Sequence, residues 1–296
     1  MKKTLIALAL ALGTVAVQAE NTTTLHGSMP SAFEVRKAEL PQRLDVKLPD
    51  SIRLAEQAAK LAPLDYTPGE GKTYYFDAKG NKAEKPVQDG YYRKILGKTA
   101  DGRTVVQDFY QDSDKPQIAP SILRQGAAED DFDGDLSDST LVHYNRDGSV
   151  SAIVPLQDGK ATGHPALYHN GVLVAQAPLP EGGSDANDPF TALAAYPAHG
   201  RMFYPDGTLM AIFPADDGKD VGIAFWRADG SLLMSQRKQG DKEEITFWSA
   251  DGKPLEKGTE ARRQAIAEYN TRVDTLNARL DQWLEAAEPP PTTPEK

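Results

Sequence analysis

From Lys72 to Lys253 the chain is punctuated by short turns, and that punctuation restricts the fold more than any other feature. Gly80, Asp114, Gly148, Gly171, Gly207, Gly230 and Gly252 follow one another at steps of 34, 34, 23, 36, 23 and 22 residues. An aromatic pair or its equivalent stands three to five residues before each: Tyr75-Phe76, Phe109-Tyr110, His143-Tyr144, Leu167-Tyr168, Phe203-Tyr204, Phe225-Trp226 and Phe247-Trp248. A further turn, Asp101-Gly102, follows Tyr91-Tyr92. Asp-Gly and Asn-Gly supply the positive backbone angles of tight hairpins, and the flanking aromatics suit strands. Asp114 takes the place of a turn glycine.

A longer duplication lies on top of this pattern. Residues Asp147–Lys160 match Asp206–Lys219 at an offset of 59, and the register holds through Gly163 and Gly222, then Gly171 and Gly230. Self-similarity at a fixed offset marks stacked supersecondary units, each of which buries a face only against its neighbours. The expected fold is therefore mainly β, an extended and twisted array of antiparallel β-hairpin repeats over 72–257. Gly159-Lys160-x-x-Gly163 followed by Tyr168 and Asn170-Gly171 resembles the MORN-type repeat in its bacterial YwqK-like variant, and Gly218-Lys219-x-x-Gly222, Trp226 and Asp229-Gly230 repeat it. The resemblance implies a hairpin array with an interaction role and no shared catalytic residues.

Outside the array the signals differ. Lys2 and Lys3, the apolar run Leu5–Val17 and the small residues of Val17-Gln18-Ala19 read as a cleavable secretory signal peptide over 1–19. Residues 20–71 read as an extended or poorly ordered segment with one short helix, Ser51 to Leu61, capped by Asp50 and stopped by Pro63 and Pro68. Pro178 to Pro197 reads as a loop insertion between the duplicates. From Thr259 the period becomes helical: Ile266, Tyr269, Val273, Leu276, Leu280 and Trp283 form one apolar stripe on a helix over 258–287, with Thr259 as its cap. Two readings of that helix stand: it caps the open end of the array, where an unpaired edge invites aggregation, or it binds a partner or a second copy. Residues 288–296 form a proline-rich tail.

Composition narrows the function. The formal net charge is −10 before the signal peptide takes away two lysines, and no basic stripe occurs, which argues against nucleic acid and against anionic lipid. The absence of cysteine removes disulfides, thiol catalysis and thiolate metal sites. No nucleophile elbow, phosphate loop or dinucleotide fingerprint is present, so no cofactor is implied. No second long apolar stretch follows the signal, so no membrane insertion is expected after cleavage.

Two constellations remain. In a strand adjacent side chains face opposite ways, so Phe in the first place of each pair should point to the core. Tyr110, Tyr144, Tyr168, Tyr204, Trp226 and Trp248 would then line one lateral face, either as cross-strand packing or as a surface for a protein or a sugar chain. Gly71–Gly80 adds to the sugar reading, since it resembles the cell-wall- and glucan-binding repeats of Gram-positive surface proteins. The second constellation is acidic. Asp131, Asp133 and Asp135 alternate in a carboxylate-rich loop, but an EF-hand would need glycine and glutamate where Leu136 and Val142 stand, so a solvated loop is the plainer reading. The five histidines show no metal-ligand spacing.

The sequence thus points to a non-catalytic, periplasmic or secreted interaction protein. Such a protein would be an accessory factor of an envelope machine, for which pilus or secretion assembly is an analogy. Its partner would be an envelope protein or a glycan. A carbohydrate-binding module for peptidoglycan or a surface glycan is the second reading, and a hydrolase the third.

Overall fold

The computed structural model describes residues 40–287 apart from 41–42, 45–46, 133–135, 177–199, 213–219 and 241. The signal peptide, the inserted loop at 178–197 and the proline-rich tail lie outside the described residues.

The chain forms two open antiparallel sheets. The smaller holds β1 (Thr67–Pro68), β2 (Thr73–Phe76), β3 (Lys82–Ala83), β4 (Tyr91–Lys98), β5 (Thr104–Tyr110) and β6 (Ser121–Ile122). Their order is β3-β2-β4-β5-β6, with β1 paired to β4. The larger holds β7 (Thr140–Tyr144), β8 (Val150–Gln157), β9 (Lys160–Ala161), β10 (Ala166–His169), β11 (Val172–Gln176), β12 (Arg201–Phe203), β13 (Leu209–Ile212), β14 (Asp220–Trp226), β15 (Leu232–Gln239) and β16 (Lys242–Phe247). It runs β16-β15-β14-β13-β12-β11-β10-β8-β7, with β9 on β8. Sequence neighbours pair almost throughout, as an array of hairpins requires. Residues 116–119 join the sheets: Gln117 N–H donates to Asp108 O (2.8 Å), while Tyr144 N–H donates to Gln117 O (2.8 Å) and Ala119 N–H to Val142 O (2.9 Å).

The turns explain the repeat. All seven turn positions have positive φ, from 54° at Asp114 to 86° at Gly148. At Asp77, Thr99, Asn145, Tyr204, Arg227 and Ser249 the turn is the same. The residue's carbonyl accepts from the glycine three on, and its N–H donates to the carbonyl four on. That is a type I turn closed by a glycine in the left-handed region. In these turns the aspartate before the glycine does not itself take positive φ. At Asp147, Asp206 and Asp229 its carboxylate instead accepts the backbone N–H two residues on, at 2.8, 3.0 and 3.0 Å. Among the described residues only Asn170-Gly171 and Asp158-Gly159 place both residues at positive φ, as a two-residue hairpin needs.

Both faces of the larger sheet are covered by the chain's own ends. One carries α3 (Glu260–Ala287), which starts as expected, with Thr259 Oγ1 accepting the Arg262 N–H (3.3 Å). Tyr269 packs edge-on against Phe225 (5.0 Å, 87°), and Trp283 donates from Nε1 to Ser151 O (3.1 Å) among Ala152, Leu167 and Ala175. Arg262 reaches Ile245 O on β16 and Trp283 reaches β8, eight strands along the sheet order. The two lengths agree: the helix covers ~32 Å between those residues at ~1.5 Å per residue, and seven strand spacings of ~4.8 Å make ~34 Å. The start of α3 does close the edge, because Leu255 N–H and Arg262 occupy the Phe247 and Ile245 carbonyls of β16. The rest crosses the face. The stripe, read from the sequence either as a cap on the array or as a surface for a partner or a second copy, lies on the chain's own sheet. Tyr269, Leu276 and Trp283 are buried, Val273 and Leu280 half-buried, and Ile266 alone of the six is exposed. Among the described residues no helix is long and apolar enough to cross a membrane.

The short helix expected from Ser51 to Leu61 is two single turns, α1 (Asp50–Arg53) and α2 (Ala55–Ala58). Leu54 breaks it, because its extended backbone bridges to Val172 on β11. Asp50 is the first residue of α1, and its carboxylate accepts from Arg53 at 2.6 and 3.0 Å instead of capping the backbone.

Candidate functional site

The opposite face of the larger sheet carries the aromatic stripe, and the structure corrects its membership. The register slips by one just before Tyr144, Tyr168, Phe203 and Trp226. Position is therefore counted back from the turn glycine, not from the order within the pair. Four residues before the glycine stand Phe76, Tyr144, Phe203, Trp226 and Trp248, and Tyr168 stands three before. Phe203 thus belongs to the stripe and Tyr204 does not. Tyr204 faces α3, where Arg272 donates to its hydroxyl and the hydroxyl donates to Trp226 O (2.8 Å). Burial there pushes its pKa up to about 12.

The stripe is not an outer surface. Trp226 is 0% exposed and Tyr168 2%, while Tyr144 and Trp248 are half-buried at the rim of the same cluster. Tyr110 is buried in the smaller sheet and donates to Tyr144 O (2.7 Å). A ligand arriving from solvent does not meet a face made of these six residues. The packing alternative describes them, and the physical reason is a segment that composition had marked as extended or poorly ordered.

The described residues of that segment between Leu40 and Ala59 form a strap laid along the row of turns. Leu44 N–H donates to Gly230 O (2.7 Å), Leu48 N–H to Gly207 O (3.1 Å) and Ala55 N–H to Gly171 O (3.0 Å). Tyr168 Oη donates to Ile52 O (2.8 Å). Leu40, Leu44, Leu48 and Ile52 recur at every fourth position, and all belong to or pack on the cluster of Trp226, Phe203 and Tyr168. Each turn crossed adds one anchor: Leu44 at the β14–β15 turn, Leu48 at the β12–β13 turn and Ile52 at the β10–β11 turn. The turns lie two strand spacings apart, ~10 Å; the backbone bonds to the first two come from residues four apart, Leu44 and Leu48, and the bond to the third from Ala55, seven residues on, after the helical turn α1.

Polar contacts fix the strap in register. Lys47 pairs with Asp206, and Arg53 donates to Pro205 O (2.9 Å). The turn glycines leave the room. A Cβ at Gly230 would fall on the Leu44 carbonyl oxygen, and one at Gly207 would lie 2.9 Å from Arg53 Cδ and 3.1 Å from Leu48 O. Glycine at 230 and 207 therefore answers both to positive φ and to the close approach of a second chain segment.

The acidic loop has a structural anchor. Asp133 and Asp135 lie outside the described residues. Asp131 offers its backbone carbonyl to Arg93 (2.7 Å). Arg93 also makes a buried two-pronged pair with Asp108, 2.7 Å on each prong. Burial pushes the Asp108 carboxyl up, and the guanidinium opposes that shift. Phe132 stacks on Tyr91 (4.7 Å, 27°), and Glu129 and Asp130 meet Tyr74 and Lys82. The loop is thereby tied to the smaller sheet. Of the glucan-binding-like segment, Tyr75 stands in a cross-strand row with Tyr92 and Phe109. The latter two stack on each other (4.9 Å, 7°) under Lys94, so their ring faces are already taken.

A serine–histidine pair also occurs, His143 Nδ1 to Ser151 Oγ at 2.8 Å. Ser151 is 0% exposed, and the Gln117 amide stands 3.4 Å from the other ring nitrogen. The serine of this pair is therefore not an accessible nucleophile.

No protein-family model matches the chain, and no curated protein sequence matches it.

Proposed function

We propose that the chain is a non-catalytic interaction protein of the bacterial envelope, acting in the periplasm as an accessory or stabilising factor for a surface machine such as pilus or secretion assembly. One observation carries this reading: a polypeptide segment from outside the array is seated across three successive hairpins, bonded through Leu44, Leu48 and Ala55 to the carbonyls of Gly230, Gly207 and Gly171. A repeat array gives a long, regular track, and tracks of that kind hold extended partners. The MORN-like character of the repeats supports an interaction role, and the signal-peptide pattern supports an exported one. The glycan reading loses its main support, because Trp226 and Tyr168, on which a sugar ring would stack, are closed off by the strap.

The test is cross-linked capture from periplasmic extract with the mature chain, alongside deletion of its gene. Specific recovery of one envelope component, with a defect in the corresponding machine on deletion, is the expected outcome. Recovery of nothing above background, with every surface structure intact, removes the proposal.

A further inference from the structure

The two coverings of the larger sheet grip the same turns from opposite faces. Phe203, Trp226 and Trp248 belong to or pack on the cluster beneath the strap. The backbone carbonyl of each accepts a side-chain bond that leads to α3. Arg279 of α3 donates to Phe203 O (2.9 Å). Tyr204 Oη donates to Trp226 O (2.8 Å), and Arg272 of α3 donates to that hydroxyl. Arg227 donates to Trp248 O (2.9 Å), and its Nε donates to Glu268 of α3 (3.0 Å). Arg272 also donates to Glu268 (2.6 Å), so the last two routes join on the helix.

The pattern keeps step with the repeat. Tyr204 and Arg227 each stand three residues before a turn glycine, Gly207 and Gly230. Those glycine carbonyls accept from the strap, at Leu48 and Leu44. Each of the two turns therefore meets α3 through its first residue and the strap through its last. The register slips before Phe203 and before Trp226. The ring at the slip goes to the strap, and the residue after it goes to α3. The lengths agree as well. From β12 to β16 is four strand spacings, ~19 Å, and Glu268 to Arg279 covers ~16 Å of helix, a difference well within the reach of arginine side chains.

We infer that the strap and α3 form one coupled clamp. Glu268, Arg272 and Arg279 are positioning residues: they hold the aromatic seats of the strap through the sheet, by the backbone of Phe203, Trp226 and Trp248. A shift of the helix loosens the strap, and loss of the strap loosens the helix by the same factor, because coupling between two sites is reciprocal. A hydrogen-bonded network of this kind is a physical carrier for such coupling. The outer side of α3, with Thr271, Asp274 and Thr275 exposed, is then a place from which the strap on the far face can be moved without being touched.

Amide exchange of the full mature chain reads both directions. Arg272→Met with Arg279→Met removes the donors and keeps the apolar length of the side chains. Exchange at the Leu44 and Leu48 amides should quicken at least tenfold, while the amides of β4 and β5 in the smaller sheet keep the parent rate. Arg263→Met is the control, since Arg263 bonds to Glu260 and to the Gly258 carbonyl at the start of α3. It should leave the strap amides unchanged. Arg279→Lys returns a donor to Phe203 O and should restore most of the protection that Arg279→Met removes. In the other direction, Leu44→Ala should quicken exchange in α3 from Glu268 to Leu276. Unchanged strap amides in the double arginine variant, or a rise shared equally by the smaller sheet, overturns the coupling. If the double variant does not fold, Arg279→Met set against Arg279→Lys carries the same test, and equal strap exchange in those two overturns it.

Discussion

Replacing Gly230 by alanine separates the strap from the turn it sits on. Gly230 and Gly102 occupy the same position of the same turn type, at φ 83° and 86°. Alanine in the left-handed region costs ~1–2 kcal/mol, and both substitutions incur that cost equally. At Gly102 nothing lies within 4 Å of a new Cβ, so the cost ends there. At Gly230 the new Cβ would overlap the Leu44 carbonyl, and neither atom is the free end of a flexible side chain. The strap must move, losing the Leu44 N–H to Gly230 O bond, ~1 kcal/mol, and much of the burial of Leu44, ~1.5–3 kcal/mol. Gly230→Ala should therefore destabilise by ~2–4 kcal/mol more than Gly102→Ala. At roughly 2–3 °C per kcal/mol in a chain of this size, its Tm should fall ~4–12 °C further. Gly207→Ala should fall between the two, since the Arg53 side chain can yield. Urea unfolding and thermal scans give the stabilities, and acrylamide quenching of tryptophan reports the strap directly. Gly230→Ala should expose Trp226 and Gly102→Ala should not. Equal losses for the two variants with unchanged quenching would refute the argument that the strap bears on the turns.

Three further outcomes are expected. Arg93→Met leaves the Asp108 carboxylate buried without its partner and releases the Asp131 and Phe132 carbonyls. It should cost ~3–5 kcal/mol in chemical denaturation, with most of that recovered by Arg93→Met combined with Asp108→Leu. Trp283→Ala should cost ~3–5 kcal/mol and speed amide exchange in the last turns of α3. Ile266→Ala, on the exposed side, should change stability by under ~0.5 kcal/mol, and both variants should sediment like the parent. The third outcome concerns acid. Asp147 is held below the usual carboxylate range by its bonds from the Ser149 hydroxyl and backbone, and Asp229 by those from the Ser231 backbone and hydroxyl. A depressed folded pKa contributes stability that is present above the unfolded value, ~4, and is lost as pH falls through the folded one. The chain should lose Tm steeply below about pH 4, and Asp147→Asn with Asp229→Asn should flatten that part of the profile.

What the sequence made legible was whatever a residue's own backbone demands. The seven turn positions of the repeat were identifiable, including Asp114 without its glycine, because positive φ is a local need that few residues meet, whereas the Asp158-Gly159 hairpin was not singled out. The start of α3 was legible for the same reason, since a capping threonine acts on N–H groups within its own turn. The stripe was legible only in part. Reading each aromatic pair from its first member placed Tyr204 on the stripe, whereas the register slip before each turn makes the distance from the glycine decisive, and Phe203 takes the place. A count back from Gly148, Gly207, Gly230 and Gly252 would have found it.

The coverings of the two faces were not legible, and for a physical reason. Leu40, Leu44, Leu48 and Ile52 repeat at four, a spacing that keeps residues on one face of a helix and of a strand alike, so it marks an apolar face without saying what the face meets. What it meets is the row of turns: Leu44 and Leu48 bond to Gly230 and Gly207, and Ile52, in α1, accepts from Tyr168. A pairing between segments so far apart in the chain becomes visible only when the two are compared in space. The same comparison explains why Tyr168 and Trp226 looked suited to a half-wet face and yet are dry. Tyr168 and Tyr204 keep a polar handle because each hydroxyl ends on a backbone carbonyl of the covering or neighbouring segment, Ile52 O and Trp226 O. The amphipathic ring therefore reports a buried seam between two parts of one chain as readily as a boundary with water.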